Sequence, residues 1–588
     1  MNEHRSDSSP PQRPMIQPSS SSANPSRIVF AVFGLALVVR LGFWLDVQGT
    51  PLDRWHEWDQ TDMATYLVQA RQLAGVDWLA AEPYHPYHSW QQIAQREKWL
   101  EWYGQHQFHQ APAYAYAIAL VERVSGNSLP WFKFVQLVIG ALTCALAASI
   151  AGRLAGRVAA ATTGVLAALY GPLFHVEAQL LREGPAAFGL LMTTYLLARF
   201  AQRGASPDPR RLVGQILMFA VPLGLLATFH EIISVLAVAS LITVAITCAR
   251  AGARAFAVGL AALALGYLVG FSPLLVRNVL VGAPPLSVSC RTHINFVYAN
   301  EADAPGGGAD FTARGPSRQF VDILDAADGS FPAAISGVWA SYDGDVGRLL
   351  GNLGQRFRTI WHPGEVPDNI SYGFLQRRVP LLAWLPGFPV VFALGTVGWL
   401  LTGWRLRSEG DERVVHAVFA LVLFGLVTAL TLVHPVARFR LYLVPLLWVY
   451  SGIGCAGFID LAQRRRLLPA SALMVVGFAA LALQAHWSTD LSRTGPRKVD
   501  YTVTSRFALQ DGDLVSAREL AADAASLFPH KGSYYANLAL AHAKRGQNEQ
   551  ALADFERAYA MQPRLANLRE ALDAHRREVA RQTAEPES

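Results

Sequence analysis

The chain has 588 residues, of which 52% are apolar and only 16% charged, against about 25% charged in soluble globular domains. That balance argues against a purely soluble protein. Bulk disorder is excluded because 29 Phe, 15 Trp and 18 Tyr supply too much apolar surface. The net charge of +6 is no argument for a nucleic-acid partner, since in a membrane chain the placement of Lys and Arg matters more than their sum.

Residues 1–26 are rich in Ser and Pro and are expected to be a disordered cytoplasmic N-terminus. The apolar run at 28–46 is too long for a signal-peptide core and reads as a retained first span. A crossing needs about 20 apolar residues. Eleven stretches qualify: 28–46, 131–152, 157–176, 185–202, 212–230, 232–249, 255–275, 380–403, 414–433, 441–461 and 467–486. With the N-terminus inside, every cytoplasmic turn is basic: Arg153 and Arg157; Arg203, Arg210 and Arg211; Arg250 and Arg254; Arg405, Arg407 and Arg413; Arg464, Arg465 and Arg466. The C-terminus then falls outside. The stretch Ala111–Val124 is apolar but short, and letting it cross would invert all those basic turns, so it is expected to lie on the outer surface.

Two large outer segments remain, about 47–130 and 277–380. Connections of this length usually carry function. Residues 47–110 hold 8 acidic and 4 basic residues with 5 His. Asp62 opens an amphipathic stretch, since Asp62, Tyr66, Gln69 and Leu73 share one helical face. Either Thr61 or Asp62 is simply a helix cap, or Asp62 is a carboxylate held at the membrane surface as a base or cation ligand. Glu177, Arg182 and Glu183 occupy another outer turn, and His230-Glu231 a third. The Glu177–Glu183 turn reads as a site edge or as a hydrated turn between two spans; the His230-Glu231 turn reads more readily as a hairpin tip. Of four Cys, only Cys290 lies in a polar stretch, and no Cys/His spacing marks a zinc site or disulfide framework.

After Trp487 the composition turns charged and Ala-rich. Gly512 and Gly546, Ala517 and Ala551, Ala524 and Ala558, and Pro529 and Pro563 each stand 34 residues apart. That period and its large and small packing residues resemble the tetratricopeptide repeat. The expected organisation is therefore a membrane domain over 27–487 and a helical repeat module over 500–588, an autonomous unit without chemistry of its own that binds peptides or proteins or packs onto its own membrane domain.

Further motifs point to one family. The sequence after the first span places Asp62 four residues before Tyr66, with Gly75, Asp77 and Trp78 beyond. Phe108-His109-Gln110-Ala111-Pro112-Ala113-Tyr114 precedes the surface stretch. Arg277-Asn278, Gly282, Asn295 to Asn300 and Gly306 follow in the second outer segment, and Ala437-Arg438-Phe439-Arg440 with Pro445 precedes a late span. Together these resemble the GT-C membrane glycosyltransferases, in particular the family 39-like group that includes protein O-mannosyltransferases and the lipid A aminoarabinose transferase. Met63 stands where that family carries a Glu beside the Asp, leaving Asp59 or Glu57 as possible substitutes, and Ala299 replaces a Gly.

The resemblance implies a mostly α, polytopic fold that transfers a hexose or pentose from a polyprenyl-phosphate donor to an acceptor outside the inner membrane. It implies Asp62, Asp59 and Glu183 as catalytic carboxylates, with Asp62 the base. Arg438, Arg440 and Arg277 would grip the lipid phosphate, with Tyr66, Asn295 and Asn300 contacting substrate. No metal ligand set is assigned, though a divalent cation stays open, and the repeat tail would meet a protein partner or acceptor. An outer-face oligosaccharide ligase or polymerase, or a non-enzymatic scaffold using the tail, are the alternatives.

Overall fold

The computed structural model describes residues 25–584 except 76, 127, 305–314, 406–411, 434, 488–493, 529–530 and 566. The Ser/Pro-rich N-terminus up to residue 24, Gly306, Arg407 and Pro529 therefore lie outside the described residues. Among those described, all regular structure is helical.

The first span is α1 (Pro25–Val47). The first large connection then folds as α2 (Asp62–Ala74), α3 (Arg96–Tyr103) and α4 (Ala113–Ser125). Helix α4, over the stretch expected to lie on the outer surface, packs on α2 and on the start of α5 (Leu129–Ala168). A short α6 (Gly171–Glu177) leads into α7 (Glu183–Arg203), α8 (Pro209–Ala227), α9 (Ser234–Ala249) and α10 (Ala253–Val281). The second large connection carries α11 (Arg291–Asn300), α12 (Arg318–Ala327), α13 (Phe331–Ala340), α14 (Val346–Ile360), α15 (Tyr372–Arg378) and α16 (Pro380–Ala383). Spans α17 (Phe388–Arg405) and α18 (Glu412–Leu432) follow, then the single turn α19 (Ala437–Arg440), and spans α20 (Val444–Gln463) and α21 (Leu467–Trp487).

Nine of the described helices are long and apolar enough to cross a membrane. One of them, α5, is two helices. Its backbone leaves the helical region at Ala155 and at Gly156, where φ is +80°, a conformation that costs glycine nothing. The break falls between Arg153 and Arg157, where the sequence places a turn. Helix α7 is long enough at 21 residues but too polar to count among the nine. The sequence reading of eleven crossings divides α5 in two and includes α7; with nine qualifying helices among the described residues, the chain is a multi-pass helical membrane protein. The central helices α17 and α20 meet through Gly398, whose missing side chain lets the backbone of Tyr450 close in, as small residues do at membrane helix contacts.

One buried pair escaped the sequence reading. Arg40, two-thirds of the way along α1, donates through Nε to Glu177 Oε2 at 2.6 Å, and both side chains are fully buried. Glu177 is thus no hydrated turn residue.

The tail forms five helices, α22 (Lys498–Asp511), α23 (Leu514–Leu527), α24 (Ser533–Lys544), α25 (Asn548–Met561) and α26 (Leu568–Ala584). Each packs on the next. Ala517, Ala551, Ala524 and Ala558 are all fully buried between them, and Gly512 and Gly546 both take positive φ just beyond α22 and α24. The tail docks extensively on the membrane domain. Trp55 Nε1 donates to Thr504 Oγ1 at 3.1 Å, Arg54 pairs with Asp511, and Arg378 pairs with Asp523 at 2.5 Å.

Candidate active site

A cavity of about 320 Å³ opens where one set of alternate connections converges. Its walls include Trp58, Gln60 and Asp62, then His109 and Gln110, Arg182, Glu231, Ser289, Arg291 and Asn295, Asp368 and Asn369, Val436, Arg438 and Phe439, and finally Arg497 and Val499. Each group belongs to the connection after α1, before α7, between α8 and α9, after α10, between α18 and α20, or after α21. None comes from the basic turns at the opposite ends of the spans. The alternation read from the Lys/Arg pattern is therefore the alternation that brings these loops together.

Thr61 caps α2: its hydroxyl accepts from Ala64 N at 3.1 Å. With the cap supplied by its neighbour, Asp62 is free to turn its carboxylate into the cavity. Asp62 Oδ2 pairs with Arg438, Oδ1 accepts from Gln110 Nε2, and Arg291 Nη1 stands 3.9 Å from Oδ1. Burial alone would push this carboxyl's pKa up. Arg438, Arg291 and Arg182 outweigh it and hold the group well below the usual carboxylate range. Asp62 is therefore ionised throughout the physiological range.

Arg438 sits among three carboxylates. Besides Asp62, Asp368 Oδ2 lies 2.5 Å from its Nε and Glu183 Oε1 lies 3.5 Å from its Nη1. Glu183 is fully buried at the start of α7. The Asp368 carboxyl is shifted the other way, upward, by burial that Arg438 only partly offsets and by the negative charge of Asp62. Tyr66 is buried one turn below Asp62 with the Arg182 guanidinium 5.8 Å from its ring; it lies behind the cavity wall. Asn295 does line the cavity and accepts from Arg291 Nη2 at 3.0 Å.

Four residues expected at the site are engaged elsewhere or stand off the cavity wall. Arg440 points away from the cavity. It donates to His362 O at 2.5 Å, pairs with Glu365 at 2.5 Å, and lies 3.8 Å over the Phe388 ring. Residues two apart in the short turn α19 cannot both face one pocket. Arg277 is spent on the backbone, donating to Leu79 O at 2.7 Å, His106 O at 2.6 Å and Ala80 O at 2.5 Å; it ties the two large connections together. The Asn300 amide donates to Leu432 O at 2.7 Å and accepts from Arg356 at 2.7 Å, also outside the cavity. Asp59 is exposed and off the cavity wall, so the second acidic group beside Asp62 is Asp368. His434 lies outside the described residues.

Sequence reasoning missed Arg291, Arg182 as a cavity residue, Asp368 and Arg497. Arg182 donates to Phe229 O at 3.0 Å and lies 3.7 Å from Glu231. Glu231 in turn accepts from Ser289 Oγ at 2.5 Å, so the His230-Glu231 turn is part of the wall.

Among the described residues, one group has metal-ligating atoms close together: His85, His109 and Cys290, all buried, with ligand atoms within 4.8 Å of one another. Arg291 Nη1 lies 3.5 Å from His109 Nε2, putting a fixed positive charge at the edge of that group. In the carboxylate cluster, the Arg438 guanidinium lies between Asp62, Asp368 and Glu183.

Residues 109–276 match the family described as dolichyl-phosphate-mannose-protein mannosyltransferase. Over that stretch the chain is similar to the GT-C class that its motifs resemble. No curated protein matches the chain by sequence. Among solved structures, the oligosaccharyltransferase AglB from Archaeoglobus fulgidus, in complex with an inhibitory peptide and a dolichol-phosphate, aligns at 14% identity and TM-score 0.42, over 83% of this chain and 58% of AglB. The chain thus spans little more than half of AglB's length. ArnT from Cupriavidus metallidurans, bound to undecaprenyl phosphate, aligns at 14% identity and TM-score 0.31, over 74% of this chain and 79% of ArnT.

Proposed function

We propose that the protein is a membrane glycosyltransferase that moves a sugar from a polyprenyl-phosphate donor to an acceptor hydroxyl on the outer face of the inner membrane. The observation that carries this reading is the ionised Asp62, fixed by Arg438 on the wall of a cavity that guanidinium groups line at one end of the spans. In this reading the N-terminus is cytoplasmic and the tail, a tetratricopeptide-like module, is outside.

The acceptor oxygen attacks the anomeric carbon, the bond from that carbon to the phosphate oxygen breaks, and polyprenyl phosphate leaves with the bonding electrons. The acceptor's proton passes to Asp62. A carboxylate paired with an arginine is a weak base at rest. It suffices here because the acceptor oxygen becomes acidic only as its new bond forms. The configuration at the anomeric carbon inverts.

Arg438 holds Asp62, while Arg182 and Arg291 receive the phosphate. Arg438 is already neutralised by three carboxylates, whereas Arg182 and Arg291 each have one carboxylate, at 3.7 and 3.9 Å. Planar guanidinium donors suit a phosphate leaving group.

The test is release of polyprenyl phosphate from a panel of polyprenyl-phosphate-linked hexoses and pentoses by the purified protein. Asp62→Asn, which keeps the shape and removes the charge, should slow turnover by about 10²–10⁴-fold. A wild-type rate in that variant removes Asp62 as the base, and no release from any such lipid removes the reading.

A further inference from the structure

The segment from Gly364 to Ser371 is a thin partition. Its Asp368 and Asn369 line the main cavity on one face and a second cavity of about 40 Å³ on the other. Val366 and Ile370 are buried and anchor the segment by packing, while the carbonyls of Asp368 and Asn369, between the two cavities, are held by hydrogen bonds.

One end of the partition is fastened by the membrane domain. Ala437 N donates to Val366 O at 3.0 Å, and Arg440 Nη2 donates to Gly364 O at 3.2 Å. The other end is fastened by the tail. Arg497 Nη1 donates to Asp368 O at 3.2 Å and Nη2 to Asn369 O. Asp500, fully buried, accepts from Ser371 N at 3.1 Å and orients Arg497 at 3.1 Å. Ser371 Oγ donates to Gly495 O at 3.0 Å. A side chain added at Gly364 would meet Thr494 Oγ1 at 2.6 Å, so the start of the tail lies directly against the partition.

What the partition carries is decisive. Asp368 pairs with Arg438, and Asn369 Oδ1 accepts from the backbone N of Asp62 at 3.2 Å. We infer that Arg497 is a positioning residue. From the C-terminal module it fixes the 364–371 partition, and through Asn369 and Asp368 it sets the placement of Asp62 and Arg438. The tail is then a wall of the catalytic unit as well as a docking module. This inference rests on the glycosyltransferase reading only for its kinetic consequence.

The experiment uses the full-length protein with Arg497→Ala, Arg497→Lys and Asp523→Ala. The last breaks the Arg378 pair, a tail contact away from the cavity. Hydrogen exchange is followed in peptides covering 366–372 and 58–66. Arg497→Ala should speed exchange in both by about tenfold or more, as expected for losing hydrogen bonds made by a charged group. Exchange in the spans and in α24–α26 should stay unchanged. Arg497→Lys should restore part of the protection, and Asp523→Ala should leave both peptides protected.

In turnover, Arg497→Ala should lower kcat at least tenfold with KM for the lipid donor within twofold. Unchanged exchange in Arg497→Ala, or equal loosening in Asp523→Ala, overturns the inference. A raised KM with kcat intact also overturns it, because Arg497 would then be a substrate contact. If the wild-type protein transfers no sugar, the functional reading fails while the exchange result still decides this one.

Discussion

Replacing Arg438 by Gln removes the one positive charge shared by Asp62, Asp368 and Glu183. At an effective dielectric of about 20, a charge pair at the 3.5 Å separating Arg438 from Glu183 is attracted by about 5 kcal/mol. That gross figure corresponds to roughly three and a half pKa units. Part of it is opposed by desolvation, and one to three units is the usual effect of a close opposite charge. The Asp62 pKa should therefore rise by about 1–3 units.

The sign for stability follows. In the wild type the folded-state pKa of Asp62 is depressed. Its contribution is complete above the unfolded value near ~4 and is lost only as pH falls through the folded value. In Arg438→Gln the unpaired carboxylates oppose folding, by about 3–5 kcal/mol for a broken buried pair. This penalty is greatest at neutral pH and shrinks as acid protonates them. Apparent Tm measured from pH 8 to 4.5 should show the deficit of the variant narrowing toward low pH, and the acid limb of its residual turnover should move to higher pH. A deficit independent of pH, together with an unmoved acid limb, would refute the electrostatic account of the cluster.

Two further outcomes test the scaffold. A methyl group at Gly140 would collide with the carboxylate of Glu177, so Gly140→Ala should disturb the Arg40 pair and cost about 1–3 kcal/mol, read as a drop in Tm. Gly351→Ala, in the interior of α14 where the added methyl meets nothing within 4 Å, is the control and should leave Tm unlowered or slightly raised, since Ala is the better helix former. Arg440→Gln leaves Glu365 buried without its partner and should lower Tm, yet KM for a polyprenyl-phosphate donor should stay within twofold; a large rise in KM would return Arg440 to the phosphate site.

The spans were legible because hydrocarbon demands long apolar runs, and their alternation was legible because arginine marks one side. Asp62 stood out because it opens a helix directly after the first span. Its rival reading, a helix cap, proved compatible with a free carboxylate once Thr61 took the capping role. That Arg440 and Arg277 stand away from the cavity was hidden for a common reason: sequence shows that a cation stands at the membrane edge but not which carbonyls it has already engaged. Asp368, Arg291 and Arg497 sit in connections with no period to read, and they reach the cavity through contacts spanning hundreds of residues. The acidic turn holding Glu177 hid a partner in α1 because a lone arginine inside an apolar run gives no hint of its counter-ion.

The clasp made by Arg497 and Asp500 also bears on timing. Asp62 is synthesised early and Arg438 late, but the residues that pin the loop between them come later still, beyond the final span. A growing chain would insert its helices with the reaction centre slack, and the centre would tighten only when the tail emerged and folded back. Docking of residues 494–500 onto that loop, and not membrane insertion alone, would then be the step that makes the protein competent.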